Sequence, residues 1–125
     1  MKLTKRDVYL GRGLGMWAWL LHRVTALLLV FYLILHILVI SSSLGGSGLF
    51  DPLLRLLQTP LFVLLEMGLT AAVLIHGLNG IRIVLFDLGL GVRRQKEIFA
   101  VLMALAGALW VWAVLVAYPN LFRVL

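Results

Sequence analysis

Three runs of apolar residues, each close to the ~20 residues an α-helix needs to cross hydrocarbon, constrain this chain more than anything else in it. They occupy about 17–40, 60–87 and 98–117. Inside lipid the backbone finds no water to bond, so a run of this length satisfies its N–H and C=O groups only as a helix. The 125 residues have room for one domain, and a composition 63% hydrophobic and 13% charged leaves too little polar surface to hold such runs in water. The expected fold is all-α, an integral membrane protein with three transmembrane helices in a single domain over 1–125.

The segments between the runs read as breaks. "SSSLGGSGLFDPLLRLLQTP" carries a Ser/Gly cluster and Asp51-Pro52 as turn signals, with "LLRLL" as a short amphipathic turn at the interface. Pro60 suits the first turn of the second helix. "LGLGVRRQKE" is a short polar turn, and Tyr118-Pro119-Asn120 ends the third run. Lys2, Lys5 and Arg6 precede the first run as they would in a signal peptide, but the run is too long for an h-region and no small-x-small site follows it; a retained span is expected. With no cysteine, the chain offers no disulfide, no thiolate metal site and no cysteine-held iron–sulfur cluster.

Lysines and arginines near the span ends set the orientation. Lys2, Lys5, Arg6 and Arg12 lie in the N-terminal head, with Arg23 just inside the first run. Arg93, Arg94 and Lys96 lie in the second loop, preceded by Arg82, whereas the opposite side has only Arg55 and Arg123. A cytoplasmic N-terminus follows, with the helices in the cell inner (cytoplasmic) membrane or its organellar equivalent. The same distribution argues against nucleic acid as a partner, because the positive charge (net +6) flanks spans and forms no aromatic-interleaved basic patch. Trp17, Trp19 and Tyr118 fall where an interfacial aromatic belt is expected.

Ionisable groups inside a span are costly and are therefore candidate functional residues. They are His22 with Arg23, His36, Glu66, His76 with Asn79 and Arg82, and Asp87. At ~1.5 Å per residue, His22 lies ~8 Å from the cytoplasmic start of the first run, and His36 ~21 Å further along. His76 lies ~16 Å from the cytoplasmic end at Asp87, which separates it from His36 by about 10 Å along the membrane normal. A neutral imidazole is a good axial ligand for haem iron, but two histidines on one iron must face each other at one depth. His36 and His76 therefore each pair with a histidine elsewhere, one haem per level, or do unrelated jobs such as hydrogen-bonded packing. Ala72 and Gly80, i−4 and i+4 from His76, leave room for a porphyrin or for close helix packing. Arg82 can snorkel towards haem propionates or Asp87, or act as a positive-inside anchor. Asn79 receives no role, Glu66 reaches the outer interface, and "GRGLG" at 11–15 follows no strand and so is no phosphate loop.

Two passages then point to a family. "WLLHRVTA", residues 19–26, resembles the HR-[ILV]-[ST]-G signature of the succinate dehydrogenase cytochrome b subunit, the larger membrane anchor of succinate:quinone oxidoreductase. "HGLNGIRIVLFDLG", residues 76–89, resembles its second signature, a histidine three residues clear of Gly-[IL]-Arg with an aspartate downstream. Their order, their spacing on the first two helices and their common side of the membrane extend the resemblance over the whole chain.

That resemblance implies a helix bundle shared with a second small membrane anchor subunit, carrying iron–sulfur and flavoprotein subunits on the cytoplasmic face. Electrons from succinate would pass to a quinone near the membrane surface; the chain would be a subunit of an enzyme and no enzyme alone, with no catalytic residue of its own for succinate. His76 would ligate haem b with a partner histidine opposite, and His36, with "LILHILV" around it, resembles the two-haem branch and would ligate a second haem nearer the outer surface. Gly80 and Arg82 would complete the haem site. For the quinone, expected to be menaquinone, Arg23 matches the family's arginine, with Trp19 and His22 beside it. The family's serine is missing here (Ala18 and Trp19 stand at its candidate positions), and Ala26 replaces its glycine. Other readings are a fumarate reductase anchor of the same architecture and a non-redox small membrane or assembly subunit whose histidines serve packing.

Overall fold

A computed structural model describes the backbone of residues 5–119 and side chains from residue 13 onward. Lys2, Asn120 and Arg123, used above for topology and helix ends, lie outside the described residues. The chain forms α1 (Lys5–Ser41), α2 (Ser47–Leu57), α3 (Pro60–Asp87) and α4 (Gln95–Ala117), with tight 3-10 turns at Ser42–Gly45 and Val92–Arg94. Gly13–Gly45, Pro60–Asp87 and Val92–Ala117 are each long and apolar enough to cross a membrane. The protein is all-helical, with three transmembrane spans.

α1 begins well before Trp17, where the apolar run suggests a start. Hydropathy marks where lipid begins, not where helix begins. Gly11, Gly13 and Gly15 each cost a helix about 1 kcal/mol relative to alanine, but they do not forbid it, and no proline interrupts 5–41. Asp51-Pro52, expected to turn, lies inside α2. The missing Pro52 N–H deprives only the exposed Gly48 carbonyl of its helical partner. α2 is amphipathic: Ser47, Asp51, Arg55 and Gln58 share one side, while Phe50, Leu53 and Leu57 are half-buried on the other. The chain enters α2 through Gly46 at φ 84°, ψ 179°, a conformation open to essentially glycine alone.

Pro60 occupies the first turn of α3, after an extended Thr59. α3 ends with Gly89 at φ 75°, and the Leu90 amide returns to the Leu85 carbonyl at 2.8 Å, capping the last turn. Pro119 ends α4 in the same spirit, because the residue before a proline is steered away from helix and Tyr118 has φ −128°, ψ 58°.

α3 is the central helix, packed against both α1 and α4. Its interior is thin and unlike that of a water-soluble protein. Among the described residues the buried ones are small or polar, apart from Met67: Ala18, Thr25, Ala72, Asn79, Arg82 and Ala106. Large apolar side chains such as Leu27 and Phe31 point outwards and are exposed on the surface of the helices. Between helices in lipid, close packing of small residues and hydrogen bonds replace the hydrophobic effect. The bonds are explicit here. Trp110 Nε1 donates to the Met67 carbonyl at 2.8 Å, and the Tyr118 hydroxyl donates to Glu66 Oε2 at 2.7 Å, both joining α4 to α3.

Candidate functional site

Across the α1–α3 seam, three polar contacts follow one another in register. Asn79 Nδ2 donates to the Ala18 carbonyl at 2.9 Å; the methyl side chain of Ala18, fully buried, lets the amide approach that closely. His76 Nδ1 lies 3.2 Å from the His22 carbonyl and 3.1 Å from Thr25 Oγ1. Thr25 itself bonds back to the Leu21 carbonyl at 2.6 Å and reaches the His22 carbonyl at 3.0 Å, the usual back-bonding of a helical threonine. The His22 and His76 rings stack, with centroids 4.1 Å apart and 8° between planes. His22 Nδ1 is buried with no hydrogen-bond partner among the described residues.

His22 is thus at the level of His76. The count from Trp17 placed it ~8 Å deep, against ~16 Å for His76 on its own helix. The stacked rings show instead that the two histidines lie at one level across the seam. His36 follows Thr25 by eleven residues, ~16 Å along α1, so it is further from His76 than the expected 10 Å.

Of the expected quinone group, Trp19 and Arg23 come together: the Arg23 guanidinium sits 4.4 Å from the centre of the Trp19 ring, both side chains exposed. His22 does not join them. One residue back from Arg23 it is ~100° round the helix, and its ring turns into the seam. Gly80, expected to give space to a porphyrin, faces this ring: a Cβ there would lie in ordinary van der Waals contact with His22 Cε1 at 3.7 Å. Ala72 is buried on α3.

Arg82 neither snorkels nor pairs with Asp87. It is 8% exposed, its Nε donates to Asn79 Oδ1 at 2.8 Å, and its guanidinium carbon lies 5.2 Å from the Phe86 ring and 5.8 Å from the Phe99 ring. Among the described residues the one ion pair is Arg94–Glu97 at 3.9 Å, on the surface. A three-residue spacing on α3 and an acceptor already anchored to α1 explain why Arg82 folds inwards: Asn79 offers an oxygen at the right turn.

His36 stands apart, exposed on α1, its Nδ1 3.2 Å from the Tyr32 hydroxyl. It lines a groove of about 510 Å³ between α1 and α3, walled by Leu28, Phe31, Val39, Phe62 and Leu69, with Glu66 at its edge. Among the described residues no three His, Cys, Asp or Glu side chains gather as a metal site.

Thr25 is a residue that sequence reasoning misses, and Asn79 is one to which it gives no role. The signals were present: Thr25 is the [ST] of the first signature, and Asn79 sits three residues from both His76 and Arg82.

Residues 2–118 match the family described as succinate dehydrogenase/fumarate reductase transmembrane subunit. The succinate dehydrogenase hydrophobic membrane anchor subunit of Halobacterium salinarum is 43% identical over 101 residues, covering 80% of this chain and 78% of that one. The succinate dehydrogenase 2 membrane subunit SdhC of Mycobacterium tuberculosis is 36% identical over 110 residues, covering 82% and 80%. Three spans and both sequence signatures agree with that match, and the chain belongs to the succinate dehydrogenase/fumarate reductase transmembrane subunit family.

Proposed function

We propose that this chain is the cytochrome b anchor of a succinate dehydrogenase, holding haem b in the cytoplasmic membrane and helping pass electrons from an iron–sulfur subunit to quinone. A second small anchor and a flavoprotein subunit complete the assembly. The observation that carries the reading is His76. It lies inside a span, half-buried, with Nδ1 engaged by α1 and no protein partner for Nε2 among the described residues. An imidazole costs more than leucine at that depth, and one with one nitrogen held and the other free has the form of a metal ligand. His36, with its own groove a dozen residues further along α1, would hold a second haem.

Haem supplies one-electron storage between the clusters and quinone; the residues do the rest. The seam residues fix the His76 ring, Asn79 holds the Arg82 cation beside the site, and Arg23 with Trp19 offers N–H donors to a quinone carbonyl as it gains charge. Two haems fit menaquinone, whose low potential makes its reduction by succinate difficult.

The test is the reduced-minus-oxidised visible spectrum of the purified complex. A b-type band is expected, with His76→Ala losing one haem and His36→Leu halving haem content by pyridine haemochrome. A colourless complex overturns the reading, and unchanged stoichiometry in His36→Leu overturns the second haem.

A further inference from the structure

Hydrogen positions follow here from counting donors. The Thr25 hydroxyl has one hydrogen, and its shortest contact, 2.6 Å, is to the Leu21 carbonyl, which can only accept. With that hydrogen committed, Oγ1 turns lone pairs towards His76 Nδ1 at 3.1 Å. The second neighbour of Nδ1, the His22 carbonyl at 3.2 Å, is also only an acceptor. A bare Nδ1 would face lone pairs on both sides. Nδ1 therefore carries the proton and Nε2 the lone pair. Thr25 is 5% exposed, so no bulk water can stand in for its oxygen. The His22 ring stacked at 4.1 Å restricts rotation of the imidazole and keeps Nδ1 against these acceptors.

We propose that Thr25 is a positioning residue for the haem ligand: its hydroxyl accepts the Nδ1–H of His76, holds the ring in the tautomer that leaves Nε2 basic, and so tunes the bound iron. The proposal rests on His76 being that ligand. An acceptor on the far nitrogen makes an imidazole more electron-donating, which favours ferric over ferrous iron.

The experiment uses the complete complex carrying Thr25→Val, Thr25→Ser or His76→Ala, with haem content from pyridine haemochrome and midpoint potentials from redox titration of the b-type band. Thr25→Val keeps the shape and removes the nearer of the two Nδ1 acceptors, leaving only the His22 carbonyl at 3.2 Å. It is expected to retain haem and to raise the midpoint of the haem that His76→Ala removes, changing the ferric-to-ferrous balance on the order of tenfold, ~59 mV for one electron. Thr25→Ser restores the wild-type value. Should Thr25→Val fail to assemble, Thr25→Ala against Thr25→Ser makes the same comparison of the hydroxyl. A midpoint unmoved in the hydroxyl-free variant, or moved equally by serine, overturns the role of Thr25 and leaves the haem reading standing. A wild-type complex without haem, or one whose haem survives His76→Ala, overturns both.

Discussion

Removing Asn79 probes how the α1–α3 seam is held. Asn79 is 1% exposed and makes two bonds: its Nδ2 to the Ala18 carbonyl, and its Oδ1 from the Arg82 Nε. Interhelical bonds between neutral groups in membrane proteins are worth ~0.6 kcal/mol on average. A bond to a charged group is worth roughly 1.5–3 kcal/mol, and a buried cation stripped of its acceptor loses at least that. Asn79→Leu should therefore destabilise the protein by roughly 2–4 kcal/mol, most of it through Arg82. Arg82→Met, which strands the Asn79 oxygen, should cost about 1–3 kcal/mol. If the bond is the main link, the double variant costs much less than both singles together, because an apolar pair leaves no unpaired charge behind. The assay is the midpoint of unfolding in graded SDS, with helicity as the signal, for wild type, both singles and the double. Additivity within ~0.5 kcal/mol, or an Asn79→Leu cost below that size, refutes the reasoning.

Two further outcomes follow from groups nearer the ends of the spans. The Tyr118 phenol is pushed up to about 12, first by its hydrogen bond to Glu66, then by burial and the carboxylate's charge. A phenol raised in the fold stabilises it fully below its ordinary 10.0 and loses that contribution as pH rises through about 12. Thermal stability measured across pH 10–12 should fall more steeply in wild type than in Tyr118→Phe, and equal slopes would remove Tyr118 from the account. Arg23→Leu should lower quinone reduction on the order of a hundredfold while electron transfer from succinate to a soluble dye is kept; a matching loss in the dye assay would place the defect elsewhere.

The spans were legible because a bilayer sets a length, and sequence displays length directly. Register between helices was not. It depends on where α1 begins, and residues 5–16 look polar and glycine-rich while folding as helix. A count from Trp17 sets His22 shallower than His76, whereas the two rings stack at one level, with Gly80 beside them. The inward fold of Arg82 is hidden for a different reason. Snorkelling is the default for an arginine near a span end, and only the position of Asn79, itself fixed by the Ala18 carbonyl on another helix, reverses it. Long-range partners of this kind are invisible to periodicity.

The stack of His22 on His76 also limits what the chain does by itself. Axial ligands approach an iron from opposite faces of the porphyrin, each through a ring nitrogen. Two imidazoles lying face to face at 4.1 Å, nearly parallel, leave no space for a macrocycle between them. His36, ~16 Å further along α1 than Thr25, is too distant to serve the same iron. On the haem reading, the ligand opposite His76 then has to come from another chain. Such a chain has a place to pack: the buried interior here is a narrow seam of small and polar residues, while most of the large apolar side chains face outwards. The haem would be assembled at a subunit interface, with this chain supplying one prepared histidine and the threonine that prepares it.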